Sequence, residues 1–177
     1  GRIRSDKGDR VADMARFVAE KAGPANILVN GAAIFNMAPL SEISEEHFDR
    51  QFDINVKGLL FTTQAIAAQM VADGKGGKII NFSSQAGRRG EPRVAVYCAS
   101  KAALNNLTVT LARVLGPEVQ VNTVCPGFID GSWLQDGFGD AFEAIKQSVV
   151  DKSLLRAVCT PEDVKDAIFG FLLGSKL

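Results

Sequence analysis

The chain has 177 residues, 46% of them apolar, which suffices for one compact domain with a buried core and is too little for two ordinary domains. Twenty basic side chains (20 Lys plus Arg) balance 20 acidic ones, so neither a nucleic-acid footprint nor attraction to anionic membranes is expected, and a small-molecule partner is. No apolar run approaches the ~20 residues of a membrane span, and the first residues lack the basic-then-apolar order of a signal peptide.

In chain order, residues 8 to 22 carry Val11, Met14, Ala15, Val18 and Ala22 at helical spacing and stop at Gly23-Pro24. The short apolar run Ile27-Leu28-Val29 predicts a strand buried on both faces of a parallel sheet. Ser44-Glu45-Glu46 reads as a capped, acidic first helical turn, which puts His47, the only histidine, on the surface and removes a histidine-based triad. A long helix follows over roughly 45 to 72, then a Gly-rich turn and a second strand over Lys78 to Ser83. A second long helix over roughly 96 to 115 leads through Gly116-Pro117 to a third strand, Val119 to Val124. A last helix opens at Thr160-Pro161-Glu162-Asp163, where Thr caps and Pro suits the first helical position.

Strand, long helix, strand, long helix, strand is the pattern of crossovers in a parallel sheet, so the fold class is α/β in a single domain spanning 1 to 177. Three strands are few for an open sheet with helices on both faces, which leads to the expectation that strands on either side lie outside these 177 residues. Cys98, Cys125 and Cys159 are dispersed without C-x-x-C spacing, which argues against a disulfide framework or a zinc site and predicts buried, reduced thiols in a cytoplasmic protein.

Tyr97, the only tyrosine, begins the second long helix, and Lys101 follows one turn later on the same face. Ser84 stands at the carboxyl end of the second strand, on the side where open parallel sheets bind ligands. A phenol is a weak base at neutral pH, but a neighbouring ammonium favours the phenolate, so Tyr97 with Lys101 can exchange a proton with a hydroxyl or carbonyl. Ser84 can hold the same oxygen, and the Asn55 side-chain amide can hold a water leading to solvent. The neighbouring Ser83 competes with Ser84 for that role, and strand alternation points only one of them at the site. Asn30 has two readings, bracing the sheet or touching a cofactor, and Arg88-Arg89 is read as a solvated loop pair in preference to a phosphate clamp. The chemistry calls for no metal.

Ser84 followed by Tyr97-Cys98-Ala99-Ser100-Lys101 resembles the active-site pattern of the short-chain dehydrogenase/reductase family. Asn55, the turn Asn30-Gly31-Ala32-Ala33 and Val121-Asn122 with Pro126-Gly127 carry the likeness along nearly the whole chain. The resemblance implies a Rossmann-like, doubly wound parallel sheet and a reaction in which hydride passes between a nicotinamide cofactor and a substrate carbon. It implies Tyr97 as acid/base, Lys101 lowering its pKa and binding the nicotinamide ribose, Ser84 positioning the reacting oxygen and Asn55 sustaining a proton relay. Asn30, Gly31, Ala32, Pro126, Gly127 and a backbone group of Ile129 become cofactor contacts. Gly31 and Ala33 depart from the family's Asn-Asn-Ala-Gly turn, and Gly131 stands where many members have Thr.

The first strands of that sheet are not among these residues, and no Gly-x-x-x-Gly-x-Gly pyrophosphate turn occurs in them; Gly74-Lys75-Gly76-Gly77-Lys78 precedes a strand and lacks the Ser or Thr of a phosphate loop. The cofactor is therefore NAD or NADP without a choice between them. Ser132 to Val150, with Trp133, Leu134, Phe138, Phe142 and Ile145, falls where the family has its substrate-covering element. The run Ser84 to Glu91 looks most like members that oxidise sugar alcohols such as sorbitol, with 3-oxoacyl thioester reduction as the runner-up. A chain that only associates with partners is the alternative of another class. The helices 45 to 72 and 96 to 115 resemble those that form four-helix subunit contacts, which implies a homodimer or homotetramer.

Overall fold

A computed structural model describes residues 6 to 174, with side chains from residue 10 onward. Three strands, β1 (Ile27–Asn30), β2 (Gly77–Phe82) and β3 (Val119–Val124), form a parallel sheet in the order β1-β2-β3. The register sets Leu28 beside Ile79 and Ile79 beside Val121, so one row of apolar side chains crosses a single face. That face carries the core. Helices α1 (Asp6–Ala22), α3 (Leu59–Asp73) and α4 (Ala95–Leu115) lie on it, burying Ala15, Ile66, Ala67 and Met70 with Ile79, Val119 and Val121. Among the described side chains of α1 only Ala15 is fully buried, and Met14 is 44% exposed.

The other face is covered differently. Helix α7 (Pro161–Leu173) lies over β2 and β3, and the Lys78 ammonium, reaching out of β2, donates to the carbonyls of Leu172 (2.9 Å) and Gly174 (2.7 Å) at its end. A cation on the last carbonyls of a helix meets the negative end of its dipole. Thr160 and Asp163 cap the opposite end reciprocally. Over β1 this face is open: Ile27 and Val29 are 47% and 43% exposed. The expectation that β1 is buried on both faces is thus corrected, because β1 is an edge strand that α7 does not reach.

The first long helix is also not continuous. Helix α2 (Glu45–Phe52) passes through a π-helical turn, Asp53–Gly58, before α3 begins. Such turns insert a residue into the helical ladder and recur at functional sites. Ser44 caps α2 as expected, accepting from the His47 amide at 3.1 Å. His47 itself is half-buried and paired with the buried Gln51, a correction to its surface placement. After β3 the chain leaves the sheet as α5 (Ser132–Phe138) and α6 (Phe142–Lys152), returning at Cys159. The excursion is closed at its base by Asp130 N donating to Cys159 O (2.8 Å) and Cys159 N donating to Phe128 O (3.1 Å). Among the described residues no helix is long and apolar enough to cross a membrane.

Candidate active site

Because the strands are parallel, the chain leaves all three at one edge, and a cleft of about 560 Å3 opens there. Seven of the expected residues line it: Gly31, Ser84, Tyr97, Lys101, Pro126, Gly127 and Ile129. Asn30, Ala32 and Asn55 do not.

Helix α4 starts at Ala95, so Tyr97 sits in its first turn, and Lys101 stacks one turn behind it. Both are buried, at 7% and 3% exposure. The Lys101 ammonium lies over the Tyr97 ring, 5.6 Å from its centroid, and donates to the Phe82 carbonyl at 2.7 Å. Ser84 shares a hydrogen bond with the phenol, while its hydroxyl accepts from the Ala86 amide and starts a short 3-10 turn. Ser83, which also borders the cleft, donates to Lys101 O at 3.1 Å.

Burial raises the Tyr97 phenol above its ordinary pKa, with the Ser84 hydrogen bond opposing. Burial also brings Lys101 down to about 8. Desolvation is the first cause in each case, because burial penalises the phenolate of one residue and the ammonium of the other. The resting pair is therefore a protonated phenol beside a lysine that titrates in the mildly alkaline range.

Asn55 and Asn30 serve as braces. The Asn55 amide, 1% exposed in the π-helical turn, accepts from Ile34 N (2.8 Å) and donates to Ile34 O (3.0 Å) and Ser100 Oγ (3.1 Å). Ser100 in turn donates to Tyr97 O at 2.8 Å. Both Asn55 amide protons are committed, so the side chain pins the loop after β1 to the Tyr97 turn. Asn30 donates to Thr63 and Asn81, and Asn81 donates to Thr108, a polar chain crossing from α3 to α4 through the sheet. Of its two readings, bracing is the one seen.

Further residues complete the site. Gln85 borders Gly127, where a Cβ would meet its Oε1 at 3.3 Å. At Gly87 a Cβ would fall 2.6 Å from the Lys101 backbone, so the turn that carries Ser84 packs directly on the helix that carries Lys101. Phe35 stands edge-on to Tyr97 with centroids 5.1 Å apart. Arg89 borders the cleft, exposed and paired with Glu91 at 2.7 Å. The three cysteines are free but only partly buried, against the expectation of burial, because each lies near the loop edge of the sheet and not in its core. Among the described residues no group of His, Cys, Asp or Glu could hold a metal.

Fit to a nicotinamide can be judged from Ile129. Phe128 O and Asp130 N are engaged by Cys159, whereas among the described residues the Ile129 amide and carbonyl carry no hydrogen bond, and Ile129 lines the cleft. A paired donor and acceptor beside side-chain-free Gly127 suit a planar carboxamide.

The chain is similar to several known proteins. The family profile described as short chain dehydrogenase matches residues 4–139. A galactitol 2-dehydrogenase of Agrobacterium fabrum is 42% identical over 160 residues, covering 86% of this chain and 62% of the relative. A sorbitol dehydrogenase of Cereibacter sphaeroides is 51% identical over 124 residues, covering 68% of this chain and 48% of the relative. The chain thus spans less than two thirds of either. The structure of an NAD+-bound xylitol dehydrogenase superposes with a TM-score of 0.85 at 25% identity, covering 95% of this chain and 69% of that one.

Proposed function

From the premise that the chain belongs to the short-chain dehydrogenase family, we propose that it carries the catalytic constellation of a nicotinamide-dependent oxidoreductase interconverting a secondary alcohol and a ketone. The observation that carries this is the buried Tyr97, hydrogen-bonded to Ser84 and stacked under the Lys101 ammonium at the carboxyl edge of the sheet. The relatives' names support a sugar alcohol as substrate.

Tyr97 is the acid/base. Its raised pKa keeps the phenol protonated at neutral pH, which suits giving a proton to a carbonyl oxygen as that oxygen becomes a hydroxyl. In the oxidative direction the proton passes from substrate hydroxyl to Tyr97 Oη, and a cation brought near the phenol is what makes that transfer favourable. Ser84 donates to the same oxygen and fixes its distance from Tyr97. Lys101 and Tyr97 would hold the nicotinamide ribose, Gly31, Pro126, Gly127 and Ile129 would contact the cofactor from the cleft lining, and Asn30, Ala32 and Asn55 would keep the loop after β1 in place. The bound NAD or NADP supplies or accepts the hydride. Asn55 sustains proton exchange by fixing the Tyr97 turn.

Residues 1 to 177 act as one Rossmann-like domain, and α2 to α4 supply the contacts of a homodimer or homotetramer. Three unpaired cysteines support a cytoplasmic setting. The test is nicotinamide absorbance with a panel of polyols and 3-oxoacyl thioesters. Polyol turnover is expected, falling by about 10²-fold or more in Tyr97→Phe while circular dichroism is unchanged. Near-wild-type turnover in Tyr97→Phe, or turnover of the thioesters alone, overturns the reading.

A further inference from the structure

The excursion after β3 is fastened at its base and touched at its tip. At the base are the Cys159 backbone bonds and the Asp130–Lys146 ion pair at 2.6 Å. At the tip, Trp133 and Phe138 of α5 both meet Phe35, with centroids 5.8 and 5.6 Å away. Phe35 comes from the loop after β1 and stands at 88° to the Tyr97 ring. One ring therefore touches the acid/base on one side and the covering helix on the other. Phe138 continues the chain of rings to Phe128 at 6.2 Å, and Phe128 to Phe142 at 5.5 Å.

Phe35, Trp133, Leu134 and Phe138 form one wall of the cleft, and Gln85 and Arg89 lie along its polar side. Aromatic faces take up the C–H edges of carbon chains, while amides and guanidinium groups take up hydroxyls. We propose that Phe35 is a positioning and specificity-determining residue: it holds α5 over Tyr97 and forms the apolar wall that orients a short polyhydroxylated chain. The kinetic half of this rests on the oxidoreductase reading above; the structural half does not.

Trp133 is the only tryptophan and is 51% exposed, so its emission reports the clasp without any substrate. Phe35→Ala is expected to red-shift that emission and roughly double its quenching by acrylamide, as each lost ring pair loosens α5. KM for the polyol rises about tenfold with kcat within about threefold, the mark of lost binding that is uniform along the reaction. Phe35→Tyr, which keeps the ring, behaves as wild type. Gly137→Leu probes the same contact from α5, where an added Cβ would already be in van der Waals contact with Phe35 at 3.7 Å and the atoms beyond it press the helix away. It is expected to reproduce both effects without touching the loop after β1.

Emission and quenching unchanged in Phe35→Ala and Gly137→Leu overturn the clasp. A kcat that falls with KM constant, or Phe35→Tyr as impaired as Phe35→Ala, overturns the specificity role. If no polyol is turned over by the wild type, the oxidoreductase reading fails while the fluorescence still decides whether Phe35 holds α5.

Discussion

A lysine that is 3% exposed costs stability whenever it is charged, unless its partners repay the lost water. Lys101 has one carbonyl, Phe82 O, and an aromatic face, and its pKa of about 8 shows that they do not repay it fully. The sign follows from linkage. Between pH 8 and the unfolded value of 10.5 the unfolded chain binds the extra proton, so this group's contribution to stability rises with pH across that window. Below it the penalty is present in full. Lys101→Met, close in volume and uncharged, is therefore expected to stabilise the fold at pH 7 by about 1 to 2 kcal/mol after the loss of the Phe82 bond, while removing activity. Denaturant melts at pH 7 and pH 9.5 check it: a gain that is equal at both, or a loss at pH 7, contradicts the electrostatic account. Such a residue is legible in sequence, because Tyr97 and Lys101 are one turn apart on one helix. Phe35 is not, since the rings it joins lie far along the chain and only the excursion of α5 brings them back.

At the scale of elements, the site depends on how closely the Ser84 turn approaches α4. Gly87 allows it: a Cβ there would overlap the Lys101 carbonyl carbon at 2.6 Å and the Ala102 nitrogen at 2.9 Å, atoms of a helix backbone that cannot give way. Gly87→Ala is expected to cost about 1 to 3 kcal/mol and to separate Ser84 from Tyr97, so that kcat falls further than stability alone explains. A Gly87→Ala protein with unchanged melting and unchanged kcat would show that the approach is looser than the structure has it. The same scale shows what sequence could and could not reveal. The β2 and β3 strands and the long α4 follow from apolar runs and helical spacing, which depend on local burial alone. The π-helical turn at Asp53–Gly58 does not, because its added residue leaves the apolar spacing of a continuous helix nearly intact. The role of Asn81 had a faint signal, a polar residue inside Ile-Ile-Asn-Phe that must find partners once buried. The exposure of Ile27 and Val29 depends on how far α7 extends across the sheet, which no local pattern encodes.

On the long helices Phe48, Val71 and Val109 are 42%, 49% and 53% exposed. Isolated surface apolar residues need no explanation, but several on adjoining helices favour self-association. On α4 the outward face around Val109 carries the small or short residues Ala102, Asn106 and Thr110, with Arg113 one turn beyond, and the small residues permit two helices to approach closely. A charge placed there would be buried in an interface between copies and harmless on a free surface. Val109→Arg is therefore expected to weaken self-association by at least about tenfold without lowering the melting temperature of the dissociated chain. Sedimentation equilibrium of wild type and variant over a concentration series decides it. A wild type that remains monomeric to ~100 µM, beyond the range of an ordinary specific interface, removes the helices α2 to α4 as an assembly surface and leaves their apolar residues as plain solvent-facing ones.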